Sequence, residues 1–147
     1  MSRLELYFHL VWATQHRQPL LTVPKEEAVF RCIIKLMEPM PYAILALNGM
    51  PDHVHLLIQT GSQVDVSALM KKLKAVSSTM VNDMTDHVER FRWQEGYYAA
   101  TITPSHMPRV RAYILNQKQH HSDGTARPSF EQTGEEAISE HSGDLII

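Results

Sequence analysis

The sequence predicts an α+β fold, a ferredoxin-like split β-α-β antiparallel sheet with an additional C-terminal helix. Three observations predict it. Four strand-length apolar runs and two helix-period stretches follow one another in the order β-α-β-β-α-β. A further helix-period stretch comes after the fourth strand. The length, 147 residues, is that of one domain.

The elements follow from local chemistry. Leu4 to Ala13 is apolar, β-branched and aromatic, and Thr14 to Pro19 breaks the run because proline has no amide hydrogen to donate. Pro24 suits the first turn of a helix, with Thr22 or Val23 near the cap and Glu26 and Glu27 at its positive end. Val29, Phe30, Ile33, Ile34 and Met37 give that helix one apolar stripe, and Pro39-Met40-Pro41 stops it. Tyr42 to Leu47 reads as the second strand, Asn48-Gly49-Met50-Pro51-Asp52 as a turn, and His53 to Thr60 as the third strand. Val66 to Met84 predicts a long helix, Tyr97 to Thr103 the fourth strand, and Pro108 to about His121 the last helix, closed by Ser122-Asp123-Gly124. Two helices cover one sheet face, which leaves the other for a ligand or for the last helix.

Composition narrows the class. Apolar residues at 44% and charged residues at 20% are those of an ordinary globular chain. The one cysteine, Cys32, excludes a disulfide framework and a cysteine-based zinc site, and a reducing cytoplasm is the expected compartment. No apolar run approaches the ~18 residues of a membrane span, and the charged Met1-Ser2-Arg3-Leu4-Glu5 start is unlike a secretory leader. No phosphate-loop motif supports ATP-driven chemistry. All 14 Lys and Arg lie at or before Arg127, so residues 1–130 carry +3 and residues 131–147 carry −5. The sequence thus divides into a mildly basic domain, 1–122, and an acidic C-terminal tail, 123–147, in which Leu145-Ile146-Ile147 is a candidate docking strand.

Within the third strand, His53 and His55 are two residues apart and emerge on one face, with Val54 on the other. Such a pair either holds a divalent metal or decorates a solvated sheet face. On the last helix Tyr113 and Gln117 are four apart and share a side. The hydroxyl is a possible nucleophile and the amide carbonyl a possible metal ligand; equally, the tyrosine serves as a core residue.

These words sit among others. Tyr7-Phe8-His9-Leu10-Val11-Trp12, Leu47-Asn48-Gly49-Met50-Pro51-Asp52-His53-Val54-His55-Leu56-Leu57, the Leu69–Ser78 helix, Gln94-Glu95-Gly96-Tyr97-Tyr98 and Val110-Arg111-Ala112-Tyr113-Ile114-Leu115-Asn116-Gln117 occur in order over residues 4–121. Together they resemble the single-tyrosine HUH transposases of bacterial insertion sequences, the IS200-like enzymes and their REP-associated tyrosine transposase relatives. The resemblance implies that His53, His55 and Gln117 ligate Mg²⁺ or Mn²⁺. It implies that Tyr113 attacks a phosphodiester of single-stranded DNA, leaving a 5′-phosphotyrosine and a free 3′-hydroxyl. It also implies a homodimer that grips hairpin DNA.

The chemistry is consistent with that expectation. A phosphotyrosine ester retains the linkage energy, so rejoining needs no nucleotide. The three neutral ligands predict feeble binding of a hard ion until a DNA phosphate joins. No proton-accepting base for Tyr113 is evident in the sequence. Lys71, Lys72 and Lys74 on the long helix, with Arg109, Arg111 and Lys118 near the tyrosine, are candidate phosphate contacts, and Trp93, Tyr97 and Tyr98 candidate base-stacking residues, one of the tyrosines at least being expected in the core. His9 is expected beside the metal pair in a supporting role, and Asp52 either orients a ligand histidine or forms the turn. His120 and His121 match no motif word and are expected in solvent. Relatives tend to carry Thr-Lys-x-Arg after the first strand; here Thr14-Gln15-His16-Arg17 lacks that lysine. Two other readings stay open: a non-catalytic single-strand-binding module of the same fold, which lacks the aromatic-glycine words of RNA-binding domains, and a small-molecule metal hydrolase, for which no carboxylate cluster is seen.

Overall fold

A computed structural model describes residues 2–84 and 90–134. Its elements are β1 (Leu6–Ala13), α1 (Val23–Met37), β2 (Ala43–Met50), β3 (His53–Thr60), α2 (Val66–Asp83), β4 (Tyr98–Ile102), α3 (Met107–Leu115) and α4 (Gln117–Asp123). The four strands form one sheet in the order β2-β3-β1-β4, with every neighbouring pair antiparallel. This is the expected split β-α-β sheet. The candidate docking strand at residues 145–147 lies outside the described residues.

Alternation along the strands sorts side chains into two layers. Leu10, Trp12, Val54, Leu56 and Ile58 pack with Val29, Ile33 and Met37 of α1 and with Leu69, Met70 and Leu73 of α2. Ala46 and Leu57 face the other way and pack with Val110, Tyr113 and Ile114 of α3. The second sheet face is therefore covered by the tyrosine helix, which is why β3 is buried at every position from His53 to Ile58. Local signals hold the helix starts: Pro24 lies in the first turn of α1, and the Asp65 carboxylate accepts the Ala68 N–H at 2.9 Å to cap α2.

Two segments differ from expectation. β2 runs through Asn48 and Gly49 to Met50, so the reversal is made by Pro51 and Asp52 alone. Tertiary packing overrides the Asn-Gly turn preference here, because Gly49 is needed for proximity: a Cβ at residue 49 would lie 2.3 Å from the His53 carbonyl oxygen and 3.1 Å from Val54 Cα. Both are backbone atoms of the strand carrying the histidines. Gly49→Ala is expected to cost about 3 kcal/mol by overpacking, lowering the melting temperature by roughly 6–12 °C for a chain of this size. An unchanged melting temperature would show that the hairpin relaxes freely.

The last helix is broken. Asn116 takes φ −102° and ψ 23°, separating α3 from α4. Its side chain donates to the Ala112 carbonyl at 2.8 Å, while Asn48 Nδ2 donates to the Leu115 carbonyl at 3.2 Å. Lys118 Nζ reaches back to Asn48 Oδ1 at 2.9 Å and to Glu26 at 2.7 Å. Asn48 thus latches the histidine hairpin to the tyrosine helix. Gly124, at φ 70°, ends α4 in the left-handed conformation that glycine adopts without Cβ cost.

Candidate active site

His53 and His55 leave β3 toward α3 and α4, and both are buried. Their environments differ. His53 Nδ1 lies 2.6 Å from Asp52 Oδ1, and Asp52 is also met by Arg17 Nε at 3.4 Å. Arg17 and the residue before it, His16, have φ of 52° and 56°, an unfavourable left-handed region for side-chain-bearing residues, and the Thr14 and Leu21 amides donate to the Asp52 and Pro51 carbonyls, both at 2.9 Å. The Thr14–Arg17 segment is thus folded onto the turn and brings a cation to Asp52. Burial pushes the Asp52 carboxyl up, but His53 and Arg17 outweigh it and hold it below the usual range. Burial opposes protonation of His53 too, yet its carboxylate partners raise its pKa.

His55 Nδ1 lies 2.9 Å from His9 Nε2, and the two rings stack with centroids 5.1 Å apart. His9 is 1% exposed on β1, whose pairing with β3 brings it here. Burial, reinforced by the neighbouring His55, depresses its pKa to about 3. Burial lowers that of His55 as well, partly offset by a carboxylate described next. His9 thus lies against the His55 ring, beside the strand pair as its place on β1 predicts.

On the facing helix pair, the break at Asn116 does not separate Tyr113 from Gln117. Both side chains are buried, and both turn to one carboxylate, Glu131. The Tyr113 hydroxyl donates to Glu131 Oε1 at 2.5 Å and Gln117 Nε2 donates to the same oxygen at 2.8 Å. The other oxygen, Oε2, lies 2.9 Å from Nε2 of both His53 and His55. Gln117 Nε2 is itself 3.4 Å from His53 Nε2. Strand histidines, helix amide and helix phenol therefore meet around a single point. Burial, then the bond to Glu131, push the Tyr113 hydroxyl up to about 12. The histidines hold Glu131 ionised despite its burial.

The donor set fits a divalent cation. One atom each from His53, His55 and Glu131 lie within 4.8 Å of one another. Gln117 Oε1 is buried with no hydrogen-bond partner, and a half-turn of the amide would exchange it with Nε2 and aim a carbonyl oxygen at His53. The oxygen donors suit Mg²⁺ and Mn²⁺, and the imidazoles suit the later transition metals.

Glu131 and His121 are what the sequence alone did not place here. Glu131 is one of five acids beyond Arg127, and no spacing ties it to the histidines. Gly124 and the short helical turn Pro128–Phe130 return the chain to the site, a contact without a periodic signature. His121, expected in solvent, has Nε2 3.1 Å from Glu131 Oε1 and its ring centroid 5.4 Å from that of His53. His120 stacks on Tyr113 at 4.4 Å. The α4 turn that presents Gln117 necessarily presents residues 120 and 121 nearby.

The candidate phosphate contacts divide between layers. Lys71, Lys72 and Lys74 ride on α2, across the sheet from Tyr113. Lys71 and Lys72 are exposed, whereas Lys74 donates to the Gln94 and Gly96 carbonyls at 2.6 and 2.8 Å. Arg111 donates to the Leu45 carbonyl at 2.9 Å, where β2 shifts register, and Lys118 is held by Glu26 and Asn48. Arg109 is exposed beside a cleft of about 300 Å³ that it lines with Tyr113, His120, Arg127 and Phe130. Trp93 Nε1 donates to Ser77 Oγ at 2.9 Å, and Trp93 and Tyr97 both pack against the helix-side core. No helix among the described residues is long and apolar enough to cross a membrane.

Comparison with known proteins gives one consistent answer. Residues 2–117 match the family model described as transposase IS200 like. The transposase of insertion sequence element IS200 from Salmonella typhimurium is 27% identical over 128 residues, which span 84% of each chain. A crystal structure of a transposase from Deinococcus radiodurans superposes with a TM-score of 0.62 at 25% identity, covering 79% of this chain and 93% of that one. A REP-associated tyrosine transposase, solved bound to a REP hairpin, superposes with a TM-score of 0.64 at 16% identity, covering 86% of this chain and 74% of that one, and so shares the fold.

Proposed function

Since the chain belongs to the IS200-like transposase family, we propose that it is a metal-dependent HUH-type strand transferase that cleaves and rejoins single-stranded DNA through Tyr113. The observation that carries this reading is the convergence of the Tyr113 hydroxyl with both imidazole Nε2 atoms around one carboxylate.

His53, His55 and Gln117 would hold Mg²⁺ or Mn²⁺, which supplies charge neutralisation at the phosphate. Tyr113 provides the nucleophile: its oxygen bonds to phosphorus while the bond to the 3′ oxygen breaks. The phenolic proton passes to solvent, and the 3′ oxygen takes up a proton from solvent to end as a hydroxyl. The ester so formed keeps the energy needed for rejoining by another 3′-hydroxyl. Asp52 fixes the His53 ring through Nδ1, and His9 fixes that of His55. Arg109, beside Tyr113, and the exposed Lys71 and Lys72 on the far layer are phosphate contacts of a strand that extends past the site; Arg111, Lys118 and Lys74 assist from more restrained positions. The partner is single-stranded DNA carrying a hairpin, and the acting species is a homodimer.

Covalent capture tests the reading. Incubation with labelled hairpin DNA and Mn²⁺ should give a denaturant-resistant adduct whose peptide map places the nucleotide on residue 113. Binding to the same DNA without any nick would instead favour a non-catalytic binding module. Asp52→Asn should keep the fold but weaken Mn²⁺ binding about 10- to 100-fold, the usual cost of losing a carboxylate behind a ligand histidine. Unchanged affinity by calorimetric titration would reduce Asp52 to a turn former.

A further inference from the structure

Glu131 lies within hydrogen-bond distance of each proposed metal ligand and of the proposed nucleophile. One oxygen faces the two strand imidazoles, and the other accepts the Tyr113 hydroxyl, the Gln117 amide and the His121 ring. A scissile phosphate must take this same place, with one oxygen toward the metal ligands and its phosphorus within about 3–3.5 Å of the attacking oxygen. A carboxylate and a phosphodiester are both anions whose oxygens span such a gap. They do not fit together.

The nucleophile is committed as well. Tyr113 donates to Glu131 and accepts the Arg127 N–H at 2.9 Å, so both contacts to its oxygen come from the segment that carries the glutamate. That segment is seated rather than draped. Phe130 packs edge-on against the Tyr113 ring at 5.0 Å and the His9 ring at 6.2 Å. Thr133 is 1% exposed. Gly134, at φ 98°, lies so close to Tyr97 that a Cβ would come within 2.6 Å of its carbonyl oxygen.

We propose that Glu131 is an exchangeable ligand that stands in for the DNA phosphate, holding the cation and the tyrosine in the DNA-free protein and leaving when the strand enters. The inference rests on the function proposed above. It gives the site two occupants for one position, a carboxylate tethered to the chain and a phosphate delivered by the substrate. The neutral trio of His53, His55 and Gln117 then has an anionic fourth member before DNA arrives, so a hard ion is retained in its absence. Entry of DNA requires residues 127–134 to withdraw, which frees the Tyr113 oxygen in the same motion.

Glu131→Gln is nearly isosteric and removes the charge; Glu131→Ala removes the group. Mn²⁺ affinity of the full chain without DNA, measured calorimetrically, should fall about tenfold in both variants. Affinity for labelled hairpin DNA in Mn²⁺, measured by anisotropy, should rise about tenfold, and the adduct should form faster. Undiminished Mn²⁺ affinity in both variants overturns the proposal. So does DNA affinity or adduct formation at or below the unsubstituted level, which would make Glu131 a permanent part of the machinery or a bystander. His53→Ala separates the two levels. If it leaves Mn²⁺ binding intact, the metal-site reading itself fails; if it abolishes binding while both Glu131 variants match the unsubstituted protein, only the stand-in role fails.

Discussion

Replacing Tyr113 by phenylalanine should abolish the covalent protein–DNA adduct, reducing cleavage by at least about 10³-fold, while DNA binding and the fold persist. The expectation follows from what the substitution removes. A phenyl ring keeps the packing against Phe130 and His120, with centroids at 5.0 and 4.4 Å, and the side chain's place beside Val110 and Ile114. Only the oxygen is lost, with its bonds to Glu131 and Arg127. Glu131 keeps its other partners, so the structural penalty is that of two hydrogen bonds, one of them to a carboxylate, roughly 2–4 kcal/mol. The chemical penalty is larger because no other hydroxyl among the described residues bonds to the central carboxylate. Denaturing gels after incubation with labelled hairpin DNA and Mn²⁺ provide the measurement. Cleavage by the variant at a rate near that of the parent would remove Tyr113 from the mechanism and leave water as the attacking group.

Acid lability is the second large effect. In the folded chain His9 is kept neutral down to a pKa of about 3, against 6.5 for an ordinary histidine. Between those values the unfolded chain binds a proton that the folded chain refuses, so stability falls as the pH is lowered from about 6.5 toward 3. At about 1.4 kcal/mol for each pH unit, this one group would remove roughly 5 kcal/mol across the window. That is comparable to the whole stability of many domains, about 5–15 kcal/mol. His53 acts in the opposite sense. Its carboxylate partners raise its folded pKa, so its contribution is present at acid pH and is lost as pH rises through that value. Comparing the chain with His9→Gln, both freed of metal by a chelator, cancels the His53 contribution. The urea midpoint should drop steeply with acid in the parent and much less in the variant. Parallel pH profiles would show that His9 is not the group responsible.

The two effects differ in how they could be foreseen. The His-Val-His alternation places two imidazoles on one sheet face whatever the surrounding fold, because a strand has a period of two. The i,i+4 relation similarly puts Tyr113 and Gln117 on one side of their stretch, and it survives the break at Asn116 because the Asn48 latch holds α3 and α4 together at that point. Strand and helix order were legible from apolar spacing and from Pro24, Pro108 and Gly124. The Asn48-Gly49 pair was misleading as a local signal: its turn preference yields to a tertiary need for close strands and a cap on the neighbouring helix. His121 and Glu131 carried no local signal at all.

By itself, the sequence determined the split β-α-β sheet, the paired histidines, the tyrosine face and the family likeness, since all of these are expressed in short-range periodicities and contiguous words. Tertiary structure alone decided that the tyrosine helix covers the histidine face, which of the two strand histidines His9 backs, and that a glutamate from the acid-rich end occupies the centre. Those contacts join residues 46 to 78 positions apart. Chain closure over such distances is governed by packing complementarity summed over many residues, which leaves no periodic trace around any one of them.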